Sequence, residues 1–120
     1  MKKIVFGTKV SDKHLVRTGE IAPDWEIVTT GGPEETKDKI NGAEIYVDWA
    51  YDFHRDIVEK GDSIKWIQSL SAGVDMLPMD LIKERGIMVT NASGIHKIQI
   101  SENVLGYMLM FARGLDKFYE

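Results

Sequence analysis

Ser71, Ala72 and Gly73 follow closely on the apolar run IKWIQ, inside the decapeptide SLSAGVDMLP that spans residues 69–78. Side chains this small let a ligand come up against the backbone. Successive N–H groups in such a turn, next to a helix start expected around Asp75 to Met79, make a pocket for a carboxylate or a phosphate, because the amides are unpaired and the helix dipole is positive there. Asp75 is then expected to be a capping acid, since its charge would repel an anion bound beside it. The competing reading of the same residues is a tight strand-to-helix turn with no ligand.

The other residues able to do chemistry form no constellation. His14, His54 and His96 are not at metal spacing with a carboxylate, so no metal site is expected and each reads as a surface or packing residue. No GxSxG supports a serine nucleophile. Gly31 and Gly32 stand together and the other glycines are isolated, so no GxGxxG lies between a strand and a helix to cradle a dinucleotide. The six methionines read as core and interface filling. Trp25, Trp49 and Trp66 read as core or edge residues, and Arg113 as a complement to a helix dipole.

The elements that would position the turn show as an alternation. Lys3–Phe6, Glu26–Thr29, Glu44–Val47, Lys65–Gln68 and Ile87–Thr90 read as strands, with helices expected near Asp12–Thr18, Glu34–Ile40, His54–Lys60 and Met79–Glu84. That pattern predicts a parallel sheet covered on both faces, with ligands beyond the carboxyl ends of its strands. Gly42, Gly61 and Gly86 fall just past three of the helices, where a left-handed cap costs least without a Cβ. Pro33 stands at or just before the first turn of its helix.

The stretch NASGIHK, residues 91–97, reads as a hinge, and Ile98–Tyr119 as a last helix capped by Ser101 or a neighbour. Its apolar residues, among them Val104, Leu105, Met108, Leu109 and Phe111, cover more than one stripe. Such a helix is expected to want two partners, its own sheet and another domain or subunit, with a central core helix as the alternative.

The expected fold is therefore a flavodoxin-like, doubly wound α/β domain with a five-stranded parallel sheet of order 2-1-3-4-5 and a C-terminal crossing helix. Residues 1–97 would form the domain, hinged at 91–97, and residues 98–120 an interdomain or dimerisation helix. A phosphoryl-accepting receiver would use Asp48 at the end of the third strand, but the first strand is followed by GTK and the fifth by NAS, where an acidic pair and a lysine are needed. Asp48 is accordingly expected to be a cap or loop residue. Flavin binding is a third choice, since GTKVSD offers two hydroxyls and an intervening lysine where a phosphate loop is required.

Composition bounds these readings. At 120 residues the chain is one domain, able to bury roughly two-thirds of its unfolded surface. A net charge of −4 excludes an extended phosphate-tracking surface, so no nucleic-acid partner is expected. Without cysteine there is no disulfide framework or thiolate site. MKKIVFGTKV has too short an apolar run for a signal peptide, and Val104–Ala112 is far shorter than the ~20 residues of a membrane span. A cytoplasmic protein with no membrane partner is expected.

Residues Ile64 to Asp116 closely resemble the D-isomer-specific 2-hydroxyacid dehydrogenases, through the SAGVD turn, the RGIMVTN strand entry, the SGIH link and the SENVLGYMLMFAR helix. These features span almost half of the chain, whereas the first 63 residues match only in their βα rhythm. The resemblance implies a flavodoxin-like substrate domain in which the backbone amides of Ala72, Gly73 and Val74 grip the carboxylate of a small 2-oxo or 2-hydroxy acid. The loop from Trp49 through Ala50 to Tyr51 would cover the substrate side chain, and Asn91–Ile98 would close the cleft. It implies NAD as coenzyme of the full-length family, with the glycine fingerprint and the catalytic arginine, glutamate and histidine downstream.

The chain thus reads as truncated before the NAD-binding domain, with no catalytic, cofactor-binding or metal residues of its own, and inactive alone. His96 is not the family's catalytic histidine. A homodimer through residues 98–120 is expected, since the last helix lacks its family partner. The alternative is a stand-alone anion-binding or protein-interaction module without enzymatic activity.

Overall fold

A computed structural model describes residues 1–118. Strands β1 (Lys2–Phe6), β2 (Trp25–Thr29), β3 (Ile45–Asp48), β4 (Trp66–Ser69) and β5 (Met88–Thr90) form one parallel sheet of order β2-β1-β3-β4-β5. Helices α1 (Asp12–Ile21), α2 (Pro33–Lys39), α3 (Arg55–Lys60) and α4 (Met79–Glu84) alternate with the strands, and α5 (Lys97–Ala112) follows β5. The doubly wound fold and strand order expected from the sequence are those observed.

Right-handed crossovers decide which face each helix covers. The connection through α1 steps outward from β1 to β2, whereas those through α2, α3 and α4 step the other way across the sheet, so α1 lies on one face and the other three on the opposite one. The core sits on the three-helix face. Val5, Tyr46 and Ile67 stand side by side on neighbouring strands, all with no exposure, and pack with Ile40, Ile57, Val58, Leu81 and Ile82. The α1 face is thinner, since α1 buries none of its residues and Met88 of β5 stays 58% exposed there. Toward its edge the row turns polar: Thr90 Oγ1 accepts from Trp66 Nε1 at 2.8 Å and donates to Gln68 Oε1 at 2.5 Å.

Helix ends depart from expectation in instructive ways. Gly42 and Gly86 take the left-handed conformation, but Gly61 has φ −79°. Its requirement is space, because a Cβ there would stand 2.4 Å from Ile64 Cδ1. The last carbonyls of α3 are instead held by Arg85, which donates to Val58 O at 2.7 Å and Glu59 O at 3.0 Å. The last helix starts at Lys97 rather than at a Ser101 cap, and Ser101 Oγ bonds back to Lys97 O inside it. It ends at Ala112, where Gly114 turns left-handed before a short 3-10 turn, Leu115–Phe118; Tyr119 lies outside the described residues.

The two partners expected for α5 do not include its own sheet. It buries no residue, and from Lys97 to Leu109 every side chain is exposed. The body and the projecting helix together span 60 × 34 × 23 Å, with a radius of gyration of 18.9 Å against about 14 Å for a compact chain of this length. Among the described residues no helix is long and apolar enough to cross a membrane.

Candidate carboxylate-binding site

The β3–β4 ladder closes with Leu70 N–H donating to Asp48 O at 2.8 Å, and the chain then turns away from the sheet. Ser69, fully buried at the end of β4, accepts from Ser71 N–H at 3.2 Å and so sets the turn. The carbonyls of the turn are tied off from behind. Ala92 N–H donates to Ser71 O at 3.1 Å, and Asn91 Nδ2 to Ala72 O at 2.9 Å. Its donors are left over: the amides of Ala72, Gly73 and Val74, like those of Asp75 and Met76 after them, donate to no acceptor among the described residues. Backbone donors rarely remain unpaired except to water or a ligand.

Gly73 needs neither a left-handed backbone nor room in the protein, since a Cβ there would meet nothing within 4 Å. Its open side belongs to a cavity of about 290 Å³ between this turn and the loop after β3, lined by Ala50, Tyr51, Ser71, Gly73, Asp75 and Met76. Ala50 N–H donates to Ser71 Oγ at 3.1 Å, which holds the two loops together. The structure thus brings Ala50 and Gly73 to one cavity. Trp49 lines a different one beside α1, Val74 packs against the core and faces the strand end near Asn91, and Ala72 lines neither loop cavity.

Asp75 corrects an expectation. It caps no helix, because α4 begins only at Met79 with Pro78 as its N-cap, and Asp75 lies exposed on the cavity wall. No cation joins it in that lining, so anion binding there would rest on amide dipoles against an opposing charge.

Asp48 is also neither cap nor loop residue. It ends β3 with no exposure, its carboxylate accepting from Tyr46 Oη at 2.8 Å and from Trp49 N–H at 2.9 Å. Burial pushes its carboxyl up to about 6, against the pull of those two bonds. Burial beside that carboxylate likewise raises the Tyr46 phenol above its ordinary value. Gly7 makes the arrangement possible, since a Cβ at that position would collide with Asp48 Oδ2. This lock fixes the start of the loop over the cavity. Its signal in the sequence was the i, i+2 spacing of Tyr46 and Asp48, which puts both on one face of a strand.

Comparisons with known proteins bear on the same segment. The family described as D-isomer specific 2-hydroxyacid dehydrogenase, catalytic domain, matches residues 4–107. The D-3-phosphoglycerate dehydrogenase of Methanocaldococcus jannaschii is 33% identical over 106 residues, covering 88% of this chain and 20% of that protein. Among solved structures, the PH0520 protein of Pyrococcus horikoshii superposes with a TM-score of 0.76 at 27% identity, over 97% of this chain and 36% of that one. The D-lactate dehydrogenase of Aquifex aeolicus, solved with NAD and lactic acid, has a TM-score of 0.71 at 20% identity, over 90% and 33% of the two chains. The chain therefore spans well under half the length of these relatives.

Proposed function

Because the chain belongs to the D-isomer specific 2-hydroxyacid dehydrogenase family, we propose that it is the substrate-binding portion of an NAD-dependent D-2-hydroxyacid dehydrogenase. The amides of Ala72, Gly73 and Val74 hold the carboxylate of a small 2-oxo or 2-hydroxy acid, while Trp49 and Ala50 belong to the loop over its side chain. The observation carrying this reading is the turn whose carbonyls are bonded and whose successive amides are free. In the full-length enzyme the reaction is reversible hydride transfer between NADH and the 2-oxo acid.

The described residues offer no cradle for NAD. The turn after β1 has a single glycine, Gly7, and the space a side chain would take there is filled by the Asp48 carboxylate. No step of coenzyme chemistry is assigned to this chain, which is inactive alone and binds no NAD. Its part is to grip the acid and, through the tie from Asn91 and Ala92 to the turn, to pass hinge motion around 91–97 to the bound carboxylate. Residues 98–120 supply a homodimer contact, and the lack of cysteine fits work in a reducing cytoplasm. The exposure of α5 gives some weight to the second reading, a stand-alone anion-binding or protein-interaction module without activity.

Titration of the ¹⁵N-labelled chain with oxamate, a 2-oxo acid mimic, tests the assignment. Saturable amide shifts at Ala72, Gly73 and Val74, lost in Gly73→Val, are expected. Shifts spread over the surface, matching those from chloride, would overturn it. NADH oxidation by the purified chain would refute the claim that it is inactive alone.

A further inference from the structure

We infer that a second ligand site lies beside α1, built for a small amphipathic anion: an aromatic or branched apolar body bearing one carboxylate or phosphate. A cavity of about 390 Å³ opens where the strand order reverses between β1 and β3. Crevices at such reversals are where doubly wound sheets take ligands, and this volume falls in the ~300–1,000 Å³ range of small-molecule sites. Phe6, Val10, Trp49 and Leu70 form its wall, from the end of β1, the connection to α1 and the ends of β3 and β4.

The polar part of the lining is one-sided. Lys9 and His14 line the cavity and make no ion pair among the described residues. The hydroxyls of Thr8 and Ser11 line it too, and neither makes a side-chain hydrogen bond among the described residues, Ser11 capping nothing although it is the N-cap of α1. No acid lines this cavity. One unpaired cation, an imidazole and two unused hydroxyls above an apolar wall complement a negative head on an apolar body. The cavity of the carboxylate turn has the opposite character, with Asp75 and no cation. The new site stands independently of the reading proposed for that turn.

Phenyl phosphate serves as the probe, with inorganic phosphate as the head alone and benzyl alcohol as the body alone, followed by NMR on the ¹⁵N-labelled 120-residue chain. Phenyl phosphate is expected to shift the amides of Thr8 to Ser11 and the indole N–H of Trp49 saturably, and to bind more tightly than either control. The double variant Lys9→Gln/His14→Gln should weaken it by about tenfold and leave the oxamate response of Gly73 as it was. An unchanged spectrum elsewhere shows that this surface variant is folded. Shifts that fail to saturate, that centre on Ala72 to Val74, that survive the double variant, or that benzyl alcohol reproduces would overturn the proposal.

Discussion

Ile67 in β4 and Leu105 in α5 are both aliphatic, yet Ile67 has no exposure and Leu105 is 58% exposed. Ile67 stands beside Tyr46 on the face of the sheet that three short helices cover, and packs there with the side chains of the core. In α5 the apolar residues run all round the axis, and no single neighbouring face could take them. Eight of its large apolar side chains, from Ile98 to Phe111, stand more than half exposed. Burying them would be worth on the order of 10 kcal/mol, comparable with the whole stability of a domain. A 16-residue helix is also marginal by itself in water. The body packs on itself, whereas nothing among the described residues covers α5.

Paired substitutions break or sharpen that contrast. Ile67→Ala should cost about 3–4 kcal/mol in urea melts of the dilute chain, because it opens a cavity in a packed row. The parallel Leu105→Ala should cost less than about 0.5 kcal/mol, since its methyls touch solvent. Equal losses would mean that α5 is docked on the body.

Glycines give the same comparison at smaller scale. Gly7→Ala drives a methyl into Asp48 and should destabilise by about 2–3 kcal/mol. Gly106→Ala adds a methyl in open space within α5 and should raise helicity by circular dichroism, worth up to about 1 kcal/mol. A destabilising Gly106→Ala would place a neighbour against that face.

Asp48 adds a pH dependence that belongs to the body alone. Its folded carboxyl sits at about 6 against an ordinary 3.8, so the protonated form is the one folding favours. That contribution is full below pH 3.8 and is lost as pH rises through 6. Asp48→Asn should remove this slope and gain about 2 kcal/mol at pH 7, seen in melts from pH 4 to 8. A variant with an unchanged slope would show that another group carries it. The smallest effect expected is at Asp75, where Asp75→Asn should tighten oxamate binding about two- to threefold and leave the melt unmoved.

The strands were legible as short apolar runs alternating with helical segments, and their predicted limits fall within two residues of those observed. The helix α4 was legible at Met79–Glu84, but Asp75 only looks like its cap. Pro78 disfavours a helical conformation at Leu77, so the helix opens only at Met79. The roles of Gly61 and Asp48 depend on Ile64 and Gly7, contacts that no local pattern announces. At the candidate site, the small residues of the turn were visible, but the ties from Asn91 and Ala92 that use up its carbonyls join residues about twenty apart in the chain. The exposure of α5 ran against the expectation that its own sheet would cover one side, because an all-round apolar pattern names no partner.

Amide hydrogen exchange at Val104 to Phe111, followed from dilute to concentrated solution beside light scattering, tests the division between body and helix most directly. Rapid exchange in the dilute monomer, with protection and mass rising together as copies associate, is the result predicted. Protection that is full in the dilute monomer and indifferent to concentration would contradict it.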